Sequence, residues 1–137
     1  MKPVLLDTGA IVALLDRSEQ HHSRCAEALK GLTGQLVTCE AVIAESCYLL
    51  RDVSGGSDAV LENVERGFFR LPFRLDESSR SVRTLMKRYA RVPMDLADAS
   101  LVAAAEARRV NTVFTIDSDF FTYQMRDGQP FDVRPGP

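Results

Sequence analysis

Acidic side chains recur where predicted strands end and predicted helices begin. These positions are Asp7, Asp95, Asp98, Asp117 and Asp119. Asp7 follows the apolar run at 4–6, and Asp117 follows the β-branched run at 112–116, both of which are typical of buried strands. In open parallel sheets, ligands bind at the carboxyl ends of the strands. We therefore expect these carboxylates to converge on one edge of a sheet.

Each of these aspartates also has a purely structural interpretation. Asp7 between a strand and a helix can serve as an N-cap that accepts a hydrogen bond from a free backbone N–H. Asp95 and Asp98 have the spacing of a capping box, and the helix dipole favours negative charge there. Asp117 and Asp119 can stabilise a turn by bonding to their own backbone. Taken one at a time, none of them requires a catalytic role.

Glu45 is harder to explain structurally, because it lies within the strongly apolar segment 41–50. A glutamate on such a helix is expected to be at least partly buried. A buried carboxylate must be protonated, paired with a cation or bound to a metal. The first basic residue that follows it within two turns is Arg51. The alternative is a side chain that reaches water at the edge of the helix.

A divalent cation would give the set Asp7, Glu45, Asp98 and Asp117 a common purpose. Four carboxylates in one crevice repel each other, and a metal ion removes that repulsion. Carboxylate oxygens without a histidine or cysteine nearby favour Mg²⁺ or Mn²⁺ over Zn²⁺. Such a site activates water and neutralises charge on a phosphodiester during in-line displacement. The residue types therefore favour phosphodiester cleavage.

The elements that must position these residues alternate along the chain. Strands are predicted at 4–6, 36–38, 69–71, 112–116 and 131–133, and helices over the Ile11–Leu15 region, 22–32, 39–52, 57–67, 77–91 and 95–109. Strands alternating with helices indicate a parallel sheet covered on both faces. We expect one α/β domain that spans residues 1–137, since domains of about 100–150 residues are the most common.

Composition excludes several classes of protein. Seventeen basic and nineteen acidic residues give a net charge of −2, which excludes a protein that coats nucleic acid by bulk positive charge. Three cysteines without a metal-binding spacing argue against a disulfide framework or a structural zinc site. No signal peptide or membrane-spanning stretch is recognisable, so we expect a soluble cytoplasmic protein that does not enter a membrane.

The predicted helix at 77–91 has one apolar and one basic face. Val82, Leu85, Met86 and Tyr89 follow the spacing of a core face. The basic residues on the other side are Arg80, Arg83, Lys87, Arg88 and Arg91. They are either a solvated surface or a stripe that contacts RNA phosphates, and Arg80, Arg83, Lys87 and Arg91 are our RNA-binding candidates.

Four segments in order resemble the PIN-domain nucleases, and their layout resembles the toxin ribonucleases of the VapC type. The segments are VLLDTGAIVALLD, VIAESCYLL, MDLADASLVAAAEARRV and TVFTIDSDFF. The resemblance places the family's metal-binding and catalytic carboxylates on Asp7, Glu45, Asp98 and Asp117. It gives possible supporting roles to Asp95, Asp119, Thr8 and Thr115. It also implies a Rossmann-like three-layer α/β/α fold with a short parallel sheet, Mg²⁺ or Mn²⁺, cleavage of single-stranded RNA, a homodimer and a small antitoxin partner.

Other functions remain open at this stage. A housekeeping RNA-processing nuclease would carry the same carboxylates as a toxin. A non-catalytic module that binds metal or a protein partner is a further alternative, although it would not need all four acidic residues. A domain that accepts a phosphoryl group on Asp7 is disfavoured, because no lysine occurs after Lys87 to hold the phosphate.

Overall fold

A computed structural model describes residues 2–137 as a five-stranded parallel sheet with six α-helices. In chain order the elements are β1 (Val4–Leu6), α1 (Thr8–Leu15), α2 (His22–Lys30), β2 (Leu36–Val37), α3 (Glu40–Leu49), α4 (Gly56–Glu65), β3 (Phe69–Arg70), α5 (Leu75–Arg88), α6 (Leu96–Arg108), β4 (Thr112–Thr115) and β5 (Asp132–Pro135). A 3₁₀ turn at Ser118–Phe121 follows β4. The predicted α/β class and parallel sheet are confirmed.

The order of the strands creates a crevice at the centre of the sheet. The order is β3-β2-β1-β4-β5, and every neighbouring pair is parallel. From β1 the chain builds outward to β2 and β3, and it then returns to place β4 on the other side of β1. The carboxyl ends of β1 and β4 therefore flank the topological switch point, where ligands bind in folds of this kind.

The helices cover the sheet on both faces. Crossovers between parallel strands are right-handed almost without exception, so this strand order assigns α1 to α4 to one face and α5 and α6 to the other. The packing of α1 against α2, α3 and α4, and of α5 against α6, agrees with this assignment. The central strand β1 is completely buried, and β4 is buried from its second residue onward. The alanine-rich α6 buries every residue from Ala97 to Ala105, because its small side chains allow close packing against its neighbours.

The predicted helix boundaries differ from the observed ones by a few residues. The helix expected at 39–52 ends at Leu49, where a turn closed by a hydrogen bond from Val53 N to Leu50 O takes over. The helix expected at 77–91 runs from Leu75 to Arg88 and buries Val82 and Leu85, as its apolar spacing predicts. Among residues 2–137, none of the helices has the length and apolar character needed to cross a membrane.

Candidate active site

Asp7 is fixed at the carboxyl end of β1 by three hydrogen bonds. Its backbone N–H donates to Phe114 O at 3.1 Å, which ties it to β4. Its Oδ1 accepts a bond of 2.8 Å from the Thr8 N–H, so Asp7 is also the N-cap of α1. Its Oδ2 accepts a bond of 2.7 Å from the Thr115 hydroxyl. These bonds orient both carboxylate oxygens. The residue is buried, with only 5% of its surface exposed.

A chain of hydrogen bonds shapes the loop after β4. Thr115 Oγ1 accepts a bond of 3.0 Å from the Asp117 N–H. Asp117 Oδ1 in turn accepts a bond of 2.9 Å from the Asp119 N–H and so caps the 3₁₀ turn. Thr115 thus links the Asp7 carboxylate to the loop that carries the two later aspartates.

Asp98 enters the same crevice from the first turn of α6. Its N–H donates to Asp95 Oδ1 at 2.8 Å, so Asp95 is the N-cap of that helix. Its Oδ2 accepts a bond of 2.7 Å from the hydroxyl of the buried Tyr123. One oxygen each from Asp98, Asp117 and Asp119 lie within 4.8 Å of one another. This spacing suits three ligands of a single cation.

Burial and like charges raise the pKa values of the site. Burial raises the pKa of Asp7 to about 6; the hydrogen bonds from Thr115 and Thr8 oppose this rise, and the charges of Asp117 and Glu45 add to it. Burial likewise raises the pKa of Asp98 to about 7. The hydrogen bond from Tyr123 opposes this rise, and the charge of Asp7 adds to it. Asp7 and Asp98 therefore resist ionisation, mainly because they are buried and also because other carboxylates lie near them, and strongly shifted pKa values of this kind are typical of functional sites.

The prediction that Glu45 is at least partly buried is wrong. The side chain is exposed, because α3 buries its opposite side and leaves an outer face uncovered. The buried residues of α3 are Val42, Ile43 and Ser46, whereas Tyr48 and Leu49 are 62% and 50% exposed. The apolar composition of the segment therefore does not surround Glu45 with protein. The side chain still lies near the crevice, since its charge raises the pKa of Asp7.

The donor atoms of the crevice fit a hard divalent cation. Cys39 lies close enough to sense the charges of Asp7 and Asp95, but burial raises the pKa of its thiol to about 11, so the thiol is protonated and a poor ligand. Thr8 Oγ1 beside Asp7 is buried and has no hydrogen-bond partner within residues 2–137. Carboxylate and hydroxyl oxygens are ligands that Mg²⁺ and Mn²⁺ accept, and neither thiolate nor imidazole competes in the cluster of acidic residues that the structure describes.

The structure brings most of the predicted site residues to this edge of the sheet. Asp7, Asp98 and Asp117 influence one another, and Thr115 bridges the first and the last. Asp119 belongs to the triplet whose oxygens lie within 4.8 Å of one another, although the sequence suggests only a supporting role for it. Asp95 is exposed and contributes charge to the surroundings of Asp98.

The side chains predicted to bind RNA are all exposed. They are Arg80, Arg83, Lys87 and Arg91, which lie on α5 and the turn after it.

Tyr123 is not singled out by any sequence motif, yet its hydroxyl holds Asp98. The general rule that could identify it from the sequence is that a buried tyrosine usually needs a hydrogen-bond partner for its hydroxyl.

Comparison with known proteins relates most of the chain to one family. The family model described as the PIN domain matches residues 4–124. Ribonuclease VapC26 of Mycobacterium tuberculosis is 26% identical over 121 residues, which cover 87% of this chain and 90% of that protein.

Solved structures share the same fold. A structure of Mycobacterium tuberculosis VapC20, described as a sarcin-ricin loop cleaving toxin, superposes with a TM-score of 0.80 at 17% identity and covers 93% of this chain and 99% of that one. A chain of a toxin-antitoxin complex from Klebsiella pneumoniae superposes with a TM-score of 0.65 at 18% identity, covering 85% of this chain and 89% of that one. At these identities the similarity establishes the fold.

Proposed function

The chain belongs to the PIN domain family, and we propose that it is a metal-dependent endoribonuclease that cleaves single-stranded RNA as the toxin of a toxin-antitoxin pair. The observation that carries the proposal is the convergence of Asp98, Asp117 and Asp119 beside the buried Asp7 at the switch point of the sheet. The similarity to Ribonuclease VapC26 and the fold shared with toxin structures support the same conclusion.

The metal ligands in this proposal are Asp7, Glu45, Asp98 and Asp117. Asp119 joins them, because one of its oxygens lies within 4.8 Å of those of Asp98 and Asp117. Asp95, Thr8 and Thr115 have supporting roles. When bound, Mg²⁺ or Mn²⁺ supplies an activated water and neutralises charge on the phosphodiester. The protein contributes orientation: Thr115 fixes Asp7 Oδ2, and Tyr123 fixes Asp98 Oδ2. Because these partners donate to the carboxylates, they favour the ionised form that a cation requires.

Electrostatic attraction of the substrate must come from a local surface. The net charge is −2 and the site is acidic, so RNA phosphates are repelled unless basic side chains lie nearby. Our candidates are the exposed Arg80, Arg83, Lys87 and Arg91.

The toxin assignment includes two protein partners, a second copy of the chain and a small antitoxin. Light scattering coupled to size-exclusion chromatography is expected to give about twice the monomer mass of 15.2 kDa. Co-expression with the neighbouring upstream reading frame is expected to yield a complex without ribonuclease activity. A chain that cleaves RNA and forms no such complex would instead fit a housekeeping nuclease.

Cleavage of a single-stranded RNA tests the enzymatic proposal. We expect cleavage with Mg²⁺ or Mn²⁺, none in excess chelator, and none with Asp98→Asn. Asp58→Asn is the matched control, because Asp58 is an exposed aspartate on α4 rather than a member of the crevice. Full activity in chelator, or in folded Asp98→Asn protein, would refute the metal mechanism.

A further inference from the structure

We propose that Tyr48 and Arg51 form a platform on which one unpaired base of the RNA substrate stacks beside the acidic crevice. The inference rests on the proposed ribonuclease function and names a substrate-binding element for it. It concerns the outer face of α3, which the carboxylate site does not use beyond Glu45.

The position of Tyr48 links it to the site. Tyr48 follows Glu45 by three residues on α3, and residues at this spacing are neighbours on a helix surface, with about 5–6 Å between their Cβ atoms. The helix that carries both residues, α3, packs against α1 and α6, and these two helices begin at Asp7 and Asp95 and so place Asp7 and Asp98 in the crevice. A nucleotide next to the one held at the carboxylates would therefore reach the Tyr48 ring.

The Tyr48 ring is exposed and held in place by its neighbour. The residue is 62% exposed, which is as high as any large apolar or aromatic residue among 2–137. The Arg51 guanidinium carbon lies 3.9 Å from the ring centroid, so the cation covers one face of the ring. Arg51 Nη1 also donates to Tyr48 O at 2.7 Å, which anchors the guanidinium at the end of the helix. Much of the remaining ring surface is left open to solvent.

This pair has the chemistry of a nucleic-acid contact. Single-stranded RNA is recognised largely by stacking of unpaired bases on aromatic rings and guanidinium planes. Arg51 adds a positive charge at the ring, and so attracts the phosphate of the stacked nucleotide. Arg51 lies over the ring and Glu45 precedes Tyr48 by three residues on the helix, so charges of both signs border this position, which favours a polar ligand such as a nucleotide over a purely apolar protein surface.

Fluorescence can test the contact directly, because the chain has no tryptophan. Tyr48→Trp introduces a single tryptophan at the proposed platform. Phe68→Trp is the matched control, since Phe68 is 59% exposed and lies at the amino end of β3, away from the carboxyl edge of the sheet. Each variant is titrated in chelator with a short mixed-sequence single-stranded RNA, and with the same sequence annealed to its complement. We expect the single strand alone to quench the tryptophan of the Tyr48→Trp variant, and neither RNA to quench that of the Phe68→Trp variant.

Binding and kinetics give a second readout. Tyr48→Ala is expected to weaken binding of the same single-stranded RNA about 5- to 150-fold, the range for losing one stacked base. In the cleavage assay we expect a correspondingly higher KM and a kcat close to that of the wild type. Tyr48→Phe is expected to retain wild-type binding because it keeps the ring, and Phe68→Ala is expected to have no effect. Since Tyr48 is exposed, Tyr48→Ala is expected to fold, which a thermal melt verifies.

The possible outcomes separate this proposal from the proposed function. If the wild type cleaves RNA while the Tyr48→Trp variant shows no quenching and Tyr48→Ala binds normally, the platform is wrong and the nuclease stands. If Tyr48→Ala changes only the oligomeric mass or the binding of an antitoxin, the pair is a protein contact and the platform is equally wrong. If the wild type neither binds nor cleaves single-stranded RNA, both proposals fail.

Discussion

Replacing Asp7 with asparagine should make the metal-free protein more stable at neutral pH and less stable in acid. Asparagine has the same shape and caps a helix as well as aspartate does, so the bond from the Thr8 N–H is expected to remain. The change removes the charge of a carboxyl group that is 5% exposed. Because burial raises the pKa of this group in the folded protein, the folded state binds a proton more tightly than the unfolded chain does.

The size of the effect follows from the pKa difference. Raising the pKa from 3.8 to about 6 corresponds to about 3 kcal/mol, since each pKa unit is about 1.36 kcal/mol. The contribution of Asp7 to the free energy of unfolding should therefore be most favourable below pH 3.8. It should fall as pH rises from 3.8 to about 6 and stay low above that. The variant escapes that loss. It forfeits the bond from the Thr115 hydroxyl, however, at a cost of about 1 kcal/mol.

The balance of these two effects changes sign with pH. At neutral pH in chelator, Asp7→Asn is expected to be more stable than the wild type by about 2 kcal/mol, or about 6–10 °C in Tm for a chain of this size. In acid below the unfolded pKa of Asp7, it is expected to be less stable by about 1 kcal/mol. Urea unfolding and thermal melts across this pH range measure both differences.

Two controls sharpen the measurement. Asp16→Asn changes a partly exposed aspartate whose pKa is lowered by the hydrogen bonds that it accepts from Ser18, so no stabilisation at neutral pH is expected. Added Mn²⁺ should stabilise the wild type by mass action, about 2.7 kcal/mol at one hundred times the Kd, and should stabilise Asp7→Asn much less. If Asp7→Asn is no more stable than the wild type at neutral pH, and gains equally from Mn²⁺, then Asp7 is only a helix cap and the proposed site is wrong.

Three further predictions concern the neighbourhood of the site, the basic face and the fold. Tyr123→Phe removes a donor to Asp98 Oδ2, so the pKa of Asp98 should rise further above about 7, and the acidic limb of the pH–activity profile should move to higher pH. Reversing the charges of Arg83 and Lys87 should weaken RNA binding and flatten its salt dependence, with unchanged Mn²⁺ affinity; an unchanged salt slope would identify a merely solvated surface. Gly34→Ala would place a Cβ 1.8 Å from a backbone carbonyl oxygen before β1, so chemical denaturation should show a loss of about 1–3 kcal/mol.

The sequence predicts the parts of the site that depend on local pattern. Asp7 and Asp117 are found because each follows a short buried strand, and parallel strands carry their following residues to one edge. Asp98 is found because a capping spacing marks the start of α6. In these cases the neighbouring residues alone determine where the carboxylate goes.

The remaining features depend on contacts between distant segments. The burial of Glu45 is predicted wrongly because composition does not reveal which face of α3 the other helices leave uncovered. The place of Asp119 in the triplet depends on a hydrogen-bonded loop that begins at Thr115. The bond from Tyr123 to Asp98 joins positions 25 residues apart and requires the 3₁₀ turn between β4 and β5.

The late arrival of β4 in the chain has a consequence during protein synthesis. This strand pairs directly with β1, with Leu5 opposite Val113 and Leu6 opposite Phe114, so the sheet gains its second central strand only after this segment has left the ribosome. Until then the growing polypeptide has Asp7 but lacks Asp117 and Asp119, and a partial set of carboxylates cannot form the proposed site. A polypeptide released before β4 is made would therefore be inert. For the proposed ribonuclease, this means that the ribosome must synthesise β4 before the new chain can cleave RNA in the cell that makes it.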